Sequence, residues 1–302
     1  MSNTDEICQA SVIIPSYGQR EHISKVLDSL QNQVTKYNYE IIVIESSGDG
    51  TADLVRQKYP EVRIIELRTR AFPGIARNVG IKAAQSDILL FTDTDCVVDR
   101  NWIQKMVEGQ LQGKYALGGL VLNGTSKNII GITDYLLEFY EFISHKSQVI
   151  PAPVPTCNVS YHKQLFIQHG YFENHIKGSD SIFSRKIEEA GQLIFWDPEI
   201  KIWHTNRTSL KKIKKNQYDL GLGAALSRRK YPYRGRIFVK CPFLVIFMPF
   251  LRSLNIGWKL LLNSPVNFIR FILVYPIIII GLISYAKGFF HGLEEKLDER
   301  RF

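Results

Sequence analysis

The stretch Ile88-Leu89-Leu90-Phe91-Thr92-Asp93-Thr94-Asp95 is a short apolar run followed at once by two carboxylates one residue apart. An apolar run without alternation fits a strand buried on both faces of a parallel sheet. In such sheets ligands bind beyond the carboxyl ends of the strands, which is where Asp93 and Asp95 fall. Two carboxylates aimed at one spot repel each other, and a divalent cation is the simplest group that holds them together. Mg²⁺ or Mn²⁺ bound this way keeps open positions for the oxygens of a diphosphate. An acidic turn after a strand is the plainer alternative, and the company of this stretch decides between them.

Working outward, β-branched runs at Ser11–Pro15, Glu40–Glu45 and Val62–Glu66 precede the strand at Ile88–Asp93. Helix-like spacing fills the gaps at Glu21–Gln33, Thr51–Tyr59 and Gly74–Gln85. Alternating strands and helices predict a parallel sheet with helices on its faces. The polar residues at the strand ends are Ser16, Tyr17, Glu45, Asp49, Asp93 and Asp95.

Charge is distributed as unevenly as structure. The chain has 302 residues and a net charge of +9, yet residues 1–200 carry 19 basic and 24 acidic side chains while residues 201–240 carry 12 and 1. With 45% apolar and 22% charged residues, the composition excludes a disordered chain and a collagen-like repeat. The acidic first 200 residues make nucleic acid an unexpected partner. Cys8, Cys96, Cys157 and Cys241 show no close-spaced ligand pattern and read as reduced thiols of a cytoplasmic protein. The polar, acidic Ser2-Asn3-Thr4-Asp5-Glu6 has no basic start or apolar middle, so no secretory signal is expected there. In that compartment the Asn-x-Ser/Thr triplets at Asn123, Asn158 and Asn206 are chance matches.

Several short motifs in this order resemble those of family 2 glycosyltransferases, the inverting nucleotide-sugar enzymes with the GT-A fold. Val12-Ile13-Ile14-Pro15-Ser16-Tyr17 is similar to their opening strand and nucleotide-contacting turn, and Glu40 to Thr51 to the motif whose first acidic residue, here Glu45, contacts the nucleoside. Pro73 to Ile81, containing Arg77, resembles the helix start before the metal motif, which falls at Thr92-Asp93-Thr94-Asp95-Cys96. Cys157 to Tyr161 and Gly170 to Glu173 resemble the acceptor-side strand and loop, and Gly178-Ser179-Asp180 stands at the catalytic acidic pair. The resemblance covers roughly residues 10–220. It implies a Rossmann-like mixed sheet with helices on both faces, a nucleotide-sugar donor (UDP favoured over GDP) and a divalent metal, Mg²⁺ or Mn²⁺. Glu45 stands where most relatives have Asp, and Ser179 where most have Glu, which leaves Asp180 as the only carboxylate of the pair.

On that reading Asp95, with Asp93 nearby, holds the metal that offsets charge on the departing diphosphate. Asp180 takes the proton of an acceptor hydroxyl, giving inversion; a plain helix N-cap before Ser181–Ala190 is its structural alternative. Pro15, Ser16, Tyr17, Glu45, Arg77 and Asp93 would contact the nucleotide sugar, although a solvent-exposed helix-start arginine is the alternative for Arg77. His204 is a candidate metal or diphosphate ligand against a packed histidine of the core.

After His204 the basic run Arg207, Lys211, Lys212, Lys214, Lys215, Arg228, Arg229, Lys230, Arg234, Arg236 and Lys240 is interleaved with Tyr218, Tyr231 and Tyr233. A basic amphipathic segment of this kind fits an anionic leaflet. Residues 241–286 then hold only Arg252, Lys259 and Arg270 as charges, and the uncharged runs Cys241–Leu251 and Phe271–Ala286 fall short of the ~20 residues of a plain span. The segment reads as membrane-embedded, as a tilted hairpin with cytoplasmic ends or as re-entrant and interfacial helices, against a soluble core helix pair as the plainer alternative. The expected organisation is a catalytic GT-A domain over 1–205, a basic linker over 206–240 and a hydrophobic segment with a charged tail over 241–302. The expected activity is transfer of a sugar to a lipid or lipid-linked hydroxyl at the cytoplasmic face of the cell membrane, in cell-envelope polysaccharide or glycolipid synthesis. A non-catalytic sugar-nucleotide-binding membrane scaffold and a nucleotidyltransferase are the alternatives, the latter disfavoured because no Gly-rich phosphate loop follows Pro15.

Overall fold

The computed structural model describes residues 7–143, 148–151, 153–174 and 177–295. The acidic opening at residues 1–6 and the end of the charged tail, 296–302, lie outside the described residues. In chain order the elements are β1 (Ala10–Ser16), α1 (Ile23–Gln31), β2 (Tyr39–Glu45), α2 (Thr51–Lys58), β3 (Arg63–Glu66), α3 (Pro73–Ala83), β4 (Ile88–Phe91), β5 (Cys96–Val98), α4 (Trp102–Leu111) and β6 (Ala116–Asn123). There follow α5 (Ile129–Phe139), β7 (Gln148–Ile150), β8 (Val159–His162), α6 (Lys163–His169), α7 (Ser179–Glu189), β9 (Ile194–His204), α8 (Leu210–Lys230) and α9 (Ile237–Lys240). A 3₁₀ helix (Pro242–Phe247) leads into α10 (Met248–Asn263), α11 (Pro265–Leu273) and α12 (Tyr275–Glu294).

The chain divides into two compact units. The first comprises Met1–Leu122, His145–His175 and Ser179–His204; the second comprises Asn123–Ser144, Ile176–Gly178 and Thr205–Phe302.

The first unit is built on a mixed sheet of strand order β3-β2-β1-β4-β8-β6-β9-β5, with β7 paired to β9. Strands β1 to β4 are parallel neighbours, so Ser16, Glu45 and the residues after Phe91 emerge on one edge. β8 runs antiparallel to β4 with Val159 opposite Phe91, which brings Thr156-Cys157-Asn158 to that same edge. The four strands and three helices expected from the pattern all form, each within two residues of its expected start. In α1 the buried positions are Ile23, Val26, Leu27 and Leu30, one face of a helix. Gly80 lets α3 lie on β1 and β2, since a Cβ there would stand 2.5 Å from Ile13 and 2.8 Å from Ile44.

Strand β9 runs through Asp197-Pro198 without a break. β7 pairs with residues 194–196 and β5 with residues 202–204, so Pro198 falls between the two partners on that edge.

The second unit is helical. Gly221 and Gly288 bring α8 and α12 into backbone contact: a Cβ at either would lie 2.0 Å from a carbonyl oxygen, of Tyr285 and Tyr218 respectively. Gly281 makes room on α12 for the Leu137 side chain of α5, whose Cδ1 would lie 2.6 Å from a Cβ there. Two helical stretches, Pro242–Asn263 and Tyr275–Glu294, are long and apolar enough to cross a membrane and are candidate spans. They are longer than the uncharged runs because charges are housed within them. Arg252 of α10 stacks its guanidinium 4.0 Å from the Tyr285 ring of α12, and Lys259 pairs with Glu141.

Candidate active site

The Cys96↔His204 register between β5 and β9 places His204 beside the end of the Asp-x-Asp motif. Its Nε2 lies 3.5 Å from Asp95 Oδ1, and both residues are at least partly buried. Asp95, Cys96 and His204 each offer a ligand atom, all within 4.8 Å of one another. Burial pushes the Cys96 thiol well above its ordinary value, so the carboxylate and the imidazole are the usable donors. A hard oxygen with an imidazole nitrogen suits Mn²⁺ or Mg²⁺.

Asp93 faces a different partner. Arg77, on the first turns of α3, is buried and donates from Nη2 to Asp93 Oδ1 at 2.5 Å. The solvent-exposed arginine considered for position 77 is therefore not what forms. Burial pushes the Asp93 carboxyl up while the Arg77 guanidinium pulls it down. The guanidinium Nε has no hydrogen-bond partner among the described residues, an orphaned buried donor next to a candidate anion site.

At the ends of β1 and β2, Glu45 is buried and accepts from the Ser16 hydroxyl, the Ser47 hydroxyl and, at 2.5 Å, the Ser47 N–H. It fastens the β1 and β2 ends together. Pro15 sits two residues past the point where β1 stops pairing with β4, and the Tyr17 ring is half exposed beneath the Arg70 guanidinium at 4.5 Å. Asp49 accepts from the Thr51 N–H and hydroxyl at 3.0 and 2.6 Å, starting α2 behind Gly50, whose φ is +83°.

Asp180 lies in the first turn of α7, which begins at Ser179 and not at Ser181, so it is not the residue before the helix that an N-cap would be. Its Oδ1 accepts from the Ser181 N–H at 2.8 Å and its Oδ2 is 3.5 Å from the Thr156 hydroxyl. Ser179 is buried against α3: its Oγ lies 2.8 Å from where a Gly74 Cβ would stand. The larger glutamate of the usual pair would crowd that contact. Thr156 and Cys157 lead into β8, whose Val159 lies opposite Phe91 at the end of β4, just before Asp93 and Asp95. The base candidate and the metal candidates therefore lie on one edge of the sheet. The motif reading quoted Cys157 but gave neither residue this part, and no local pattern marks a buried threonine for it. Asn158 is fully buried, accepting from Trp102 Nε1 and donating to the Leu120 and Ile200 carbonyls; with Asn206 also buried, these triplets serve the fold.

The model of the family described as Glycosyl transferase family 2 matches residues 11–168, slightly more than half of the chain. The glycosyltransferase AglE of Haloferax volcanii is 27% identical over 230 residues, 70% of this chain and 72% of AglE. The poly(ribitol-phosphate) beta-glucosyltransferase of Bacillus spizizenii is 41% identical over 91 residues, which are 28% of this chain but only 14% of that relative. The mannosyltransferase PcManGT from Pyrobaculum calidifontis, solved with GDP-Man and Mn²⁺, is similar in structure with a TM-score of 0.59 over 89% of this chain and 75% of that one; at 17% identity this shows the fold alone. A sheet carrying an Asp-x-Asp at the end of its fourth strand, a neighbour of the GT-A fold and a family match over half the sequence meet in one statement: the chain belongs to glycosyl transferase family 2.

Proposed function

We propose that this chain is a membrane-associated inverting glycosyltransferase that takes a sugar from a nucleotide diphosphate donor and places it on a lipid or lipid-linked hydroxyl at the cytoplasmic face of the cell membrane. The observation that carries the reading is the convergence of Asp95 and His204 beyond the end of β4, with Asp180 held to the same sheet edge by its contact with Thr156. Asp95 and His204 would hold a divalent cation, and when bound it would offset the negative charge that grows on the departing diphosphate. Arg77, fixed by Asp93, keeps an unpaired Nε donor that would meet a donor oxygen. Pro15, Ser16, Tyr17 and Glu45 form the nucleoside end. Asp180 would accept the proton of the acceptor hydroxyl as it attacks from the side opposite the leaving group, which inverts the anomeric carbon.

The lipid acceptor is supported by the second unit. Ile246, Phe250, Leu254, Trp258 and Leu262 recur every four residues and are all exposed, Ile246 to 78%. An outward apolar face of this extent is unusual on a soluble monomer and suits a bilayer. On this proposal residues 1–205 are catalytic, 206–240 the lipid-facing linker and 241–302 the anchor. Because PcManGT holds GDP-Man, GDP donors are tested beside the UDP donors that the motifs favour.

The test is transfer of radiolabelled sugar from UDP-glucose or GDP-mannose, with Mn²⁺, to membranes carrying the full chain. Label is expected in the organic phase and is expected to be lost in Asp95→Ala and Asp180→Asn. No transfer to any lipid fraction would sink the lipid acceptor. Nucleotide binding that survives Asp180→Asn, with no turnover in the wild type, would instead favour the scaffold.

A further inference from the structure

Position 179 carries serine, so Asp180 has no neighbouring carboxylate in sequence to hold or tune it. Its surroundings show two other restraints. The backbone is pinned by Ser184, fully buried, whose hydroxyl donates to the Asp180 carbonyl at 2.8 Å and sits 3.2 Å from the Tyr161 hydroxyl of β8. The Val154 N–H reaches the same Ser184 oxygen at 3.4 Å, tying the 153–156 loop to this turn. The carboxylate is bracketed by the Ser181 N–H on Oδ1 and the Thr156 hydroxyl on Oδ2. Thr156 is 3% exposed, so its hydroxyl has little water to turn to.

We propose that Thr156 is the positioning residue of Asp180: its hydroxyl donates to Oδ2, sets the rotamer in which the carboxylate faces the acceptor, and, through the pairing of β8 with β4, keeps the base in register with the Asp95 site. The inference rests on Asp180 being the base. The separation of 3.5 Å is at the long end of hydrogen bonding, and contacts of this kind tighten when substrate closes a site.

Four variants of the full chain in detergent micelles test this: Thr156→Val, which keeps the shape and removes the hydroxyl, Thr156→Ser, which restores it, Asp180→Asn, and the Thr156→Val/Asp180→Asn double variant. The assay is nucleoside diphosphate release from UDP-glucose or GDP-mannose with Mn²⁺ and diacylglycerol, a lipid with a free hydroxyl. Thr156→Val is expected to lower kcat about 10-fold or more and leave the donor KM within about twofold. Thr156→Ser is expected to stay within about threefold of wild type. The double variant is expected to be no slower than Asp180→Asn alone, since both changes act on one group. Wild-type kcat in Thr156→Val, beside an inactive Asp180→Asn, overturns the positioning role and leaves the base in place. An active Asp180→Asn, or a wild type with no turnover, overturns the base and this inference with it. Thr156→Ser as slow as Thr156→Val assigns the loss to packing and also overturns it. If Thr156→Val melts early, Thr156→Cys, with a weak donor in nearly the same volume, replaces it, and full activity in that folded variant counts against the proposal.

Discussion

Asp93 and Asp95 stand one residue apart and face opposite duties. Asp95 is half-buried and points at His204, whereas Asp93 neutralises the buried Arg77. Removing one carboxylate should therefore cost ligand binding, and removing the other should cost structure. Asp95→Asn is expected to weaken Mn²⁺ binding, measured calorimetrically in the presence of UDP, at least about 10-fold with little change in melting temperature. Asp93→Asn leaves a buried guanidinium short of its counter-charge and is expected to destabilise the fold by about 2 kcal/mol in denaturant titrations. That is below the range for a fully buried pair, because Asp93 keeps 30% of its side chain exposed. Equal effects of the two variants on Mn²⁺ affinity would show that both are ligands. The Asp-x-Asp pair and its place at a strand end were legible in the sequence because they are local. The Arg77–Asp93 pairing and the Thr156–Asp180 contact span 16 and 24 residues, and only the sheet order brings those partners together.

At the level of elements, β1 to β4 were legible because each is a continuous apolar run between turn signals. β5 and β7, at three residues each, are too short to carry a pattern of their own. The helices of the second unit show the same division. The basic run after His204 is plain in sequence, yet Arg207 is drawn inward to Asp134 and Glu138, both at 3.0 Å. Arg229 donates to the Gly292 carbonyl at 2.9 Å at the end of α12, and Arg228 to the Arg234 carbonyl. Lys177 donates to Asn216 on α8, which donates in turn to Glu138 on α5. In this network burial, and then Glu138, push the Asp134 carboxyl up to about 6, with Arg207 opposing. A carboxyl whose pKa is higher folded than unfolded binds its proton more tightly in the native state. Its contribution is full below about pH 4 and is lost as pH rises through about 6. The melting temperature is therefore expected to fall by a few degrees between about pH 5 and pH 7. Asp134→Asn should flatten that slope while lowering the curve at every pH, because the Arg207 partner is gone. A slope unchanged in Asp134→Asn would assign the pH dependence to other groups.

Over the whole molecule the net charge of +9 overstates what a membrane would meet. With Arg207, Arg228 and Arg229 engaged internally, the outward basic face of α8 is Lys211, Lys212, Lys214 and Lys215, all exposed, of which Lys215 also pairs with Asp219. The apolar contribution is larger and lies elsewhere in the second unit, on the face that includes Ile246, Phe250, Leu254, Trp258 and Leu262, and continues in α11 at Val266, Ile269 and Leu273. The two contributions respond differently to solution conditions. Near an anionic surface each lysine adds about 1 kcal/mol, and salt screens that attraction within a Debye length of ~10 Å at 0.1 M, while burial of apolar side chains is insensitive to moderate salt. Replacing Lys211, Lys212, Lys214 and Lys215 by Gln is expected to weaken flotation with phosphatidylglycerol-containing vesicles by about 100-fold at low salt. The same variant should bind neutral phosphatidylcholine vesicles as the wild type does. Ile246→Asn with Phe250→Asn should weaken binding to both kinds of vesicle, with no dependence on salt. If the wild type floats equally with neutral and anionic vesicles at low salt, the lysine face takes no part in docking, and the apolar helices alone hold this enzyme at the bilayer.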